Sequence, residues 1–185
     1  MILPYSSNSG KPAYAKADSY QDREIMCEAV TTYGKQMTNF AFSYVKDWGL
    51  AEDIVQEVFL KAFRNFQSFR GDSSLKTWLY KITANQCKDY LKSSYFKRVV
   101  LSNFFPTKQK RDEYEIFNNN DELSQSVFRL QVKYREIIIL HYYEDLKIKE
   151  ISNLLNMKEA TVKTRLQRAR SILKKELERS SSNGE

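Results

Sequence analysis

The sequence predicts an all-α fold in which two small helical domains are joined by a flexible linker. The chain has only 5 Gly and 3 Pro in 185 residues, too few turn-forming residues for a many-stranded β fold. Apolar residues recur at helical spacing in two separate stretches, and this periodicity fails between them. Because 42% of the residues are apolar, each stretch can build its own core.

Composition divides the chain into five segments. Residues 1–22 hold two of the three prolines and several small polar residues, and are expected to form a flexible extension. Helical domains are expected at 23–94 and 121–178. Between them, residues 95–120 mix charges, a proline and a run of asparagines, as is typical of a linker. Residues 179–185 are expected to form a flexible tail.

Helical spacing of apolar residues predicts three helices in the first domain, at 23–46, 51–66 and 75–93. In the second helix, Leu60 and Phe63 belong to the stripe that we assign to the core. Before it, the letters DWGL predict a turn in which Gly49 adopts the backbone conformation of a helix end.

The third helix of this domain alternates cations with aromatic residues. Lys76, Lys81 and Lys88 stand among Trp78 and Tyr80. This composition is expected where a strand of nucleic acid is held and stacked upon, but aromatic residues at helical spacing are also typical of a core. We interpret Trp78 as structural and leave both interpretations open for Tyr80.

Residues 148–170, IKEISNLLNMKEATVKTRLQRAR, satisfy the steric requirements of a helix-turn-helix. Ser152 is small enough for the place where the two helices cross. Asn156, four residues on, tolerates the left-handed backbone of the turn. Val162, ten residues beyond Ser152, is an apolar residue that can face the first helix. These spacings predict a DNA-binding motif.

The second helix of this motif is strongly basic. Residues 158–179 hold eight Lys or Arg and three Glu, so most of the formal net charge of +7 lies here. When the core positions are set aside, the outer face keeps Lys163, Thr164, Gln167 and Arg168. Lys, Thr and Gln side chains can read base edges in the major groove, whereas Arg165, Arg168 and Arg170 suit phosphates.

Several classes of function find no support in the sequence. His141 is the only histidine, and Cys27 and Cys87 match no metal spacing, so we expect no catalytic residues, metal or cofactor. Both cysteines are expected to be reduced thiols, buried or half-buried. No apolar run approaches the roughly 18 to 20 residues of a membrane span, and no signal peptide is found. We therefore expect a cytoplasmic protein without membrane insertion.

Four segments together resemble the bacterial RNA polymerase sigma factors of the extracytoplasmic-function (ECF) type. They are AEDIVQEVFLKAF at 51–63, FRGDSSLKTWLYKITANQCKDYL at 69–91, YREIIILHYYEDLKIKEIS at 134–152 and TVKTRLQRAR at 161–170. A helix-turn-helix alone is a weak family signal, but four such segments in this order are specific. The resemblance implies a region 2 domain, a flexible linker and a region 4 domain, in agreement with the division drawn from composition.

For core RNA polymerase, the resemblance implies two docking sites. Residues 51–63 resemble the part of region 2 that docks on the β′ coiled coil, and region 4 rests on the β flap. The polar contacts with β′ are expected from Asp53, Gln56 and Glu57. Acids near a helix start are also explained by the helix dipole, and the two explanations are compatible.

For promoter DNA, the resemblance assigns one element to each domain. Region 2 captures the minus-10 element as it opens, through Arg70, Lys76, Lys81, Asn85 and Lys88. Asn85 is the candidate for contacting a flipped base. Region 4 reads the minus-35 element through Thr161, Lys163, Thr164, Arg165, Gln167 and Arg168. The sequence departs from the family at Gln131, where proline is frequent, and at 90–93, where arginines are fewer.

The sequence therefore predicts a sigma factor, not an enzyme, that directs promoter-specific initiation and is held inactive by an anti-sigma factor. The alternative is a helix-turn-helix regulator that binds duplex DNA without polymerase, which leaves the matches at 51–63 and 69–91 unexplained. A recombinase or nuclease needs a nucleophile or clustered carboxylates beside basic residues, and the sequence offers no such group.

Overall fold

The computed structural model describes residues 19–93 and 122–182, which are largely helical and contain no strand. The first domain consists of α1 Ser19–Val45, α2 Trp48–Arg64, a 3-10 turn at Phe66–Ser68, and α3 Leu75–Lys92. The second domain consists of α4 Glu122–Arg129, α5 Val132–Ile138, a π-helical segment Ile139–Tyr143, α6 Ile148–Leu155, and α7 Glu159–Ser182. The predicted all-α fold is confirmed.

The predicted extension, linker and tail lie mostly outside the described residues. Where the described residues reach into them, they are helical. Helix α1 already begins at Ser19, and Asp22 in its first turn is buried and favoured by the helix dipole. Helix α7 continues past the predicted end at 178 to Ser182, because the part of α7 that precedes these last residues is rich in amino acids of high helix propensity.

The connection between α1 and α2 differs from the prediction. Lys46, not Gly49, adopts the left-handed conformation, with φ of 58°. Asp47 is the N-cap of α2, where its carboxylate accepts a 2.9 Å hydrogen bond from the backbone N–H of Leu50. This cap starts α2 at Trp48, so Gly49 lies inside the first helical turn.

The core of the first domain is formed where α1, α2 and α3 pack against one another. Its largest fully buried side chains are Met37, Phe40, Val58, Leu79 and Tyr80. The rings of Phe40 and Tyr80 lie 5.2 Å apart between centroids, which joins α1 to α3. Tyr80 is therefore a core residue, and of the two interpretations left open the structural one is correct.

The core of the second domain lies between α5, α6 and α7. Its largest fully buried side chains are Val127 of α4, Ile137, Leu140, Ile151, Leu154 and Val162. A single buried arginine, Arg135, donates hydrogen bonds to the carbonyl oxygens of Phe128 and Leu130. These bonds fix the connection between α4 and α5, where Gln131 is the N-cap of α5.

The two domains pack directly against each other. Helix α1 contacts α5, and α3 contacts α6. Phe42 on α1 meets Phe128 on α4 edge to face, with ring centroids 5.5 Å apart. This packing was not predicted from the sequence, and it brings the two predicted DNA-binding surfaces close together.

Candidate promoter and polymerase interface

The helix-turn-helix has the geometry that the sequence predicts. Asn156 ends α6 in the left-handed conformation, with φ of 52° and ψ of 54°. The Ser152 hydroxyl donates a 2.6 Å hydrogen bond to the carbonyl of Met157, and the Met157 N–H returns a 3.0 Å bond to the carbonyl of Ser152. Val162 is fully buried. The turn between α6 and α7 is thereby fixed by both backbone and side chain.

One face of α7 is exposed to solvent. Its buried residues are Val162, Leu166, Ala169 and Leu173. The exposed residues between Val162 and Ala169 are Lys163, Thr164, Gln167 and Arg168. These four occupy one side of the helix because they recur at spacings of three and four residues. The predicted outer face is therefore present, with two long cations and two neutral hydrogen-bonding side chains.

Three other predicted or suggested contacts on α7 are less available. Thr161 is half-buried. Arg165 is partly buried, with its guanidinium 3.5 Å from the Glu136 carboxylate. Arg170 donates from Nε to the Tyr142 hydroxyl at 2.5 Å and lies over that ring, on the side of the helix facing the π-helical segment. Arg165 and Arg170 are thus each partnered by a protein side chain, although Arg170 is exposed.

The predicted minus-10 contacts on α3 lie in two different environments. Lys81 and Asn85 are exposed. Lys76 instead donates to Glu144, and Lys88 lies 2.9 Å from the Glu136 carboxylate. Because both glutamates belong to the second domain, Lys76 and Lys88 face that domain. Lys81 and Asn85 are exposed, and Lys81 lines an open cleft between the two domains.

The loop before α3 rests on an aromatic cluster. Trp78 packs against Phe69 and Phe66, with ring centroids 5.0 and 6.3 Å apart, and its structural role is confirmed. Arg70 is highly exposed and lies 3.3 Å from the carboxylate of Asp72. A pair so exposed adds little stability, so Arg70 can leave Asp72 for a phosphate at small cost.

The predicted polymerase contacts lie on the outer side of α2. Asp53 and Gln56 are exposed. Glu57 is also exposed, but its carboxylate accepts a 2.7 Å hydrogen bond from Gln86 of α3. Gln86 in turn accepts from Lys61. Glu57 therefore has a partner within its own domain, whereas Asp53 and Gln56 point to solvent.

Two apolar residues of this face were assigned wrongly from the sequence. Leu60 and Phe63 were expected in the core, but 56% and 39% of their surfaces are exposed. Leu60 and Phe63 follow Gln56 by four and seven residues, so the same helical periodicity could have placed all three on one face. They form an apolar patch beside the polar contacts.

The sequence analysis also missed an apolar groove on the second domain. It is lined by residues of α4, the π-helical segment and the second half of α7: Leu123, Val127, Tyr142, Leu173 and Leu177. Leu123 and Tyr142 are among the exposed large apolar side chains. The groove and the four-residue DNA face occupy different parts of α7, so both can be used at once.

The histidine and the two cysteines lie in ordinary packed or exposed surroundings. His141 is half-buried with Nδ1 2.9 Å from the carbonyl oxygen of Leu146, a packed structural role as predicted. Cys87 is buried, and burial raises the pKa of its thiol to about 12. Cys27 is exposed, contrary to the prediction. Within the described ranges, no helix is both long and apolar enough to cross a bilayer.

A two-domain helical chain with a helix-turn-helix in one domain and a cationic, aromatic helix in the other defines a class of DNA-binding transcription proteins. Two family models refine this class. The model for Sigma-70 region 2 matches residues 29–95, and the model for Sigma-70, region 4 matches residues 121–173.

Curated relatives give the family. RNA polymerase sigma factor SigV of Bacillus subtilis is 33% identical over 157 residues, which cover 84% of this chain and 92% of SigV. The ECF RNA polymerase sigma-E factor of Escherichia coli is 32% identical over 165 residues, covering 82% of this chain and 86% of that protein. The chain belongs to the sigma-70 family of RNA polymerase sigma factors, in its ECF group.

Solved structures show the same fold. The sigma factor RpoE of Bartonella quintana, in complex with the anti-sigma factor NepR, aligns with a TM-score of 0.69 at 23% identity, covering 84% of this chain and 98% of that chain. CnrH, in complex with the cytosolic domain of CnrY, aligns with a TM-score of 0.62 at 19% identity, covering 86% and 94%. The first and second domains are hereafter called region 2 and region 4.

Proposed function

We propose that this sigma factor divides promoter recognition between its two domains, with α7 reading the minus-35 element and α3 capturing the opened minus-10 element. The observation that carries this proposal is the exposed face of α7 formed by Lys163, Thr164, Gln167 and Arg168. Gln167 and Thr164 supply hydrogen bonds to base edges, and Lys163 and Arg168 add charge toward phosphates. Thr161 and Arg165 flank this face.

At the minus-10 element, Asn85 contacts a flipped base and Lys81 contacts the backbone. Both side chains are exposed on α3. Extruding a base costs a few kcal/mol, which contacts to the extruded base offset. Arg70, Lys76 and Lys88 complete the set, although the last two must first leave their glutamate partners.

Core polymerase docks on α2 through the β′ coiled coil. Asp53 and Gln56 make the polar contacts, and Glu57 contributes its charge while bonded to Gln86. Leu60 and Phe63 add apolar surface, which gives the interface the mixed character that protein–protein contacts usually have. An acidic surface on a protein of net charge +7 also orients polymerase away from the DNA faces.

Region 4 rests on the β flap through the apolar groove that Leu123, Tyr142 and Leu177 help to line. An exposed apolar groove beside a DNA face is suited to a protein partner, since contiguous apolar surface is costly to leave in water. The chain supplies binding and positioning in the cytoplasm, and the polymerase supplies the catalysis.

An anti-sigma factor controls the protein. The two similar solved chains, RpoE and CnrH, are each bound to a partner, which for RpoE is the anti-sigma factor NepR. The exposed apolar residues of both domains, among them Leu60, Phe63 and Tyr142, offer such an inhibitor a surface that overlaps the polymerase contacts.

Transcription in vitro tests the proposal directly. Purified chain, core polymerase and a library of genomic fragments should give initiation from a small set of promoters that core polymerase alone does not use. Tight binding to duplex DNA without any stimulation of initiation would instead support the polymerase-independent regulator.

Gln56→Ala should weaken core binding. The exposed Gln56 amide loses its hydrogen bonds across the β′ interface, at a cost of about 1 to 2 kcal/mol, or roughly 5- to 30-fold in affinity. Titration of labelled chain with core polymerase measures this, and Gln21→Ala, an exposed glutamine on α1, is the matched control. Equal affinities for Gln56→Ala and Gln21→Ala would remove Gln56 from the interface.

A further inference from the structure

The hydroxyl of Thr164 is already bonded within α7. Its Oγ1 donates a 2.9 Å hydrogen bond to the carbonyl oxygen of Ala160, one helical turn earlier. Threonines inside helices recurrently satisfy their hydroxyl in this way. Since a hydroxyl carries a single hydrogen, Thr164 has no donor left for a base. What its side chain still offers to DNA is the lone pairs of the oxygen and the Cγ2 methyl group.

The methyl group of Thr164 lies on the part of α7 that is suited to meet base edges. Thr164 is exposed in the second turn of the helix, and the first turns of a recognition helix make the base contacts. On the same exposed face, Lys163 and Arg168 end in charged groups and Gln167 ends in an amide. The Thr164 methyl is therefore the one apolar terminal group among these four side chains. Ala160, exposed one turn earlier, adds a second methyl on the same side.

A methyl group on this face has a specific counterpart in the major groove. Thymine presents its 5-methyl group there, and a threonine methyl is one of the apolar groups that contact it. The Thr164 oxygen can also accept a hydrogen bond from adenine N6 or cytosine N4. Because A·T and G·C pairs both supply such a donor, that hydrogen bond does not separate them, whereas a methyl contact does.

We propose that the Thr164 methyl group reads the 5-methyl group of a thymine in the minus-35 element, at a base pair next to the one that Gln167 contacts. This inference rests on the proposed function of α7 as the minus-35 reader. Gln167 follows Thr164 by three residues, or about 4.5 Å along the helix, and successive base pairs are about 3.4 Å apart. The two side chains therefore meet neighbouring base pairs.

The bond to Ala160 favours this contact. Turning the hydroxyl from Ala160 to a base would exchange one hydrogen bond for another, with little net gain. Keeping the bond leaves every polar group satisfied while two methyl groups exclude water from each other. The branched side chain is also stiff about χ1, so little rotamer freedom is lost when DNA binds.

Two substitutions separate the methyl group from the hydroxyl. Thr164→Ser keeps the hydroxyl and removes the methyl, whereas Thr164→Val keeps the branched methyl and removes the hydroxyl. Initiation by holoenzyme is measured on a promoter library with the minus-10 element fixed and the minus-35 element randomised. Thr164→Ser should lower the preference for thymine over cytosine at this base pair by about 3- to 5-fold, the factor for burying one methyl-sized group. Thr164→Val should keep that preference within about twofold.

A matching change in the DNA tests the other side of the contact. Deoxyuridine in place of the thymine removes only the 5-methyl group. With the parent chain and with Thr164→Val, this change should lower initiation by about 3- to 5-fold. With Thr164→Ser it should have little effect, because the protein methyl that it would contact is already gone. The two changes form a double-mutant cycle, so their coupling isolates the methyl contact from other effects.

Thr31→Ser is the matched control. Thr31 is exposed on α1 of region 2, and its hydroxyl donates a 3.0 Å hydrogen bond to the carbonyl oxygen of Cys27, four residues earlier, as Thr164 does to Ala160. The control makes the same chemical change in the same local geometry, away from α7. It should leave the thymine preference and the effect of deoxyuridine unchanged. A loss of preference in Thr31→Ser equal to that in Thr164→Ser would overturn the proposal.

Two further outcomes would overturn the methyl contact alone. Loss of the thymine preference in Thr164→Val, with retention in Thr164→Ser, would assign base reading to the hydroxyl. An equal effect of deoxyuridine on the parent and on Thr164→Ser would mean that another group senses the thymine methyl. In both cases a minus-35 preference in the parent would leave the proposed function standing. A parent with no minus-35 preference would refute that function and this inference with it.

Discussion

Gln167→Ala is expected to abolish preference at one base pair of the minus-35 element while leaving core polymerase binding unchanged. Gln167 is exposed on α7, one helical turn after Lys163. A glutamine amide pairs in bidentate fashion with adenine, and each such pair gives about 1 to 3 kcal/mol of discrimination. Discrimination at that base pair should therefore fall by roughly 5- to 150-fold.

The measurement is initiation by holoenzyme from a promoter library in which the minus-10 element is fixed and the minus-35 element is randomised. The matched control is Gln125→Ala, an exposed glutamine on α4 of the same domain. Neither change removes a charge, so the salt dependence of promoter binding should stay the same. Arg168→Ala, in contrast, should weaken all promoters similarly and reduce the salt slope by about one.

A uniform loss over the whole library would contradict base reading by Gln167, because loss of a base contact must depend on the base. A parallel loss of core affinity would contradict the division of roles between α7 and α2. These two failures are separable, since core affinity is measured without promoter DNA.

The helix-turn-helix was predictable because its constraints are local. Ser152, Asn156 and Val162 lie within one short segment, and each satisfies a steric requirement set by backbone geometry. The left-handed φ of 52° at Asn156 and the buried Val162 follow from those requirements. The exposed face of α7 then follows from helical periodicity alone.

The exposed Leu60 and Phe63 show that helical periodicity does not distinguish a buried apolar face from an exposed one. An apolar residue on a helix is normally assigned to the core, but a surface that serves a partner carries apolar residues of the same kind.

Gly49 illustrates a different limit of prediction from sequence. Glycine is the usual left-handed residue, yet the Asp47 cap moved the helix start and left that conformation to Lys46.

The polar contacts between the two domains could not be predicted from the sequence for a different reason. Tyr44 and Glu136 are 92 residues apart, and nothing local specifies that a glutamate beside the run IIIL faces another domain. From the sequence alone, Lys76 and Lys88 could equally be DNA contacts or partners in ion pairs. Which role each lysine has depends on how the two domains pack. That packing is set by contacts between residues far apart in sequence, which residue spacing does not reveal.

Ile151→Ala is expected to lower the free energy of unfolding of region 4 by about 2 to 5 kcal/mol. Ile151 is fully buried on α6, where the helix-turn-helix packs onto α7, and the smaller side chain leaves a cavity. Small domains have total stabilities of only about 5 to 15 kcal/mol, so region 4 should lose much of its margin. Ile151→Val removes one methylene and should cost only about 0.5 to 1.5 kcal/mol.

The two tryptophans allow this loss to be assigned to one domain. Trp48 and Trp78 are the only tryptophans in the chain, and both lie in region 2. In urea, far-ultraviolet circular dichroism follows both domains, whereas tryptophan fluorescence follows region 2. Ile151→Ala should shift the circular dichroism transition to lower urea and leave the fluorescence midpoint close to that of the parent. If both transitions moved together, the two regions would unfold as one cooperative unit, and the loss could not be assigned to region 4 alone.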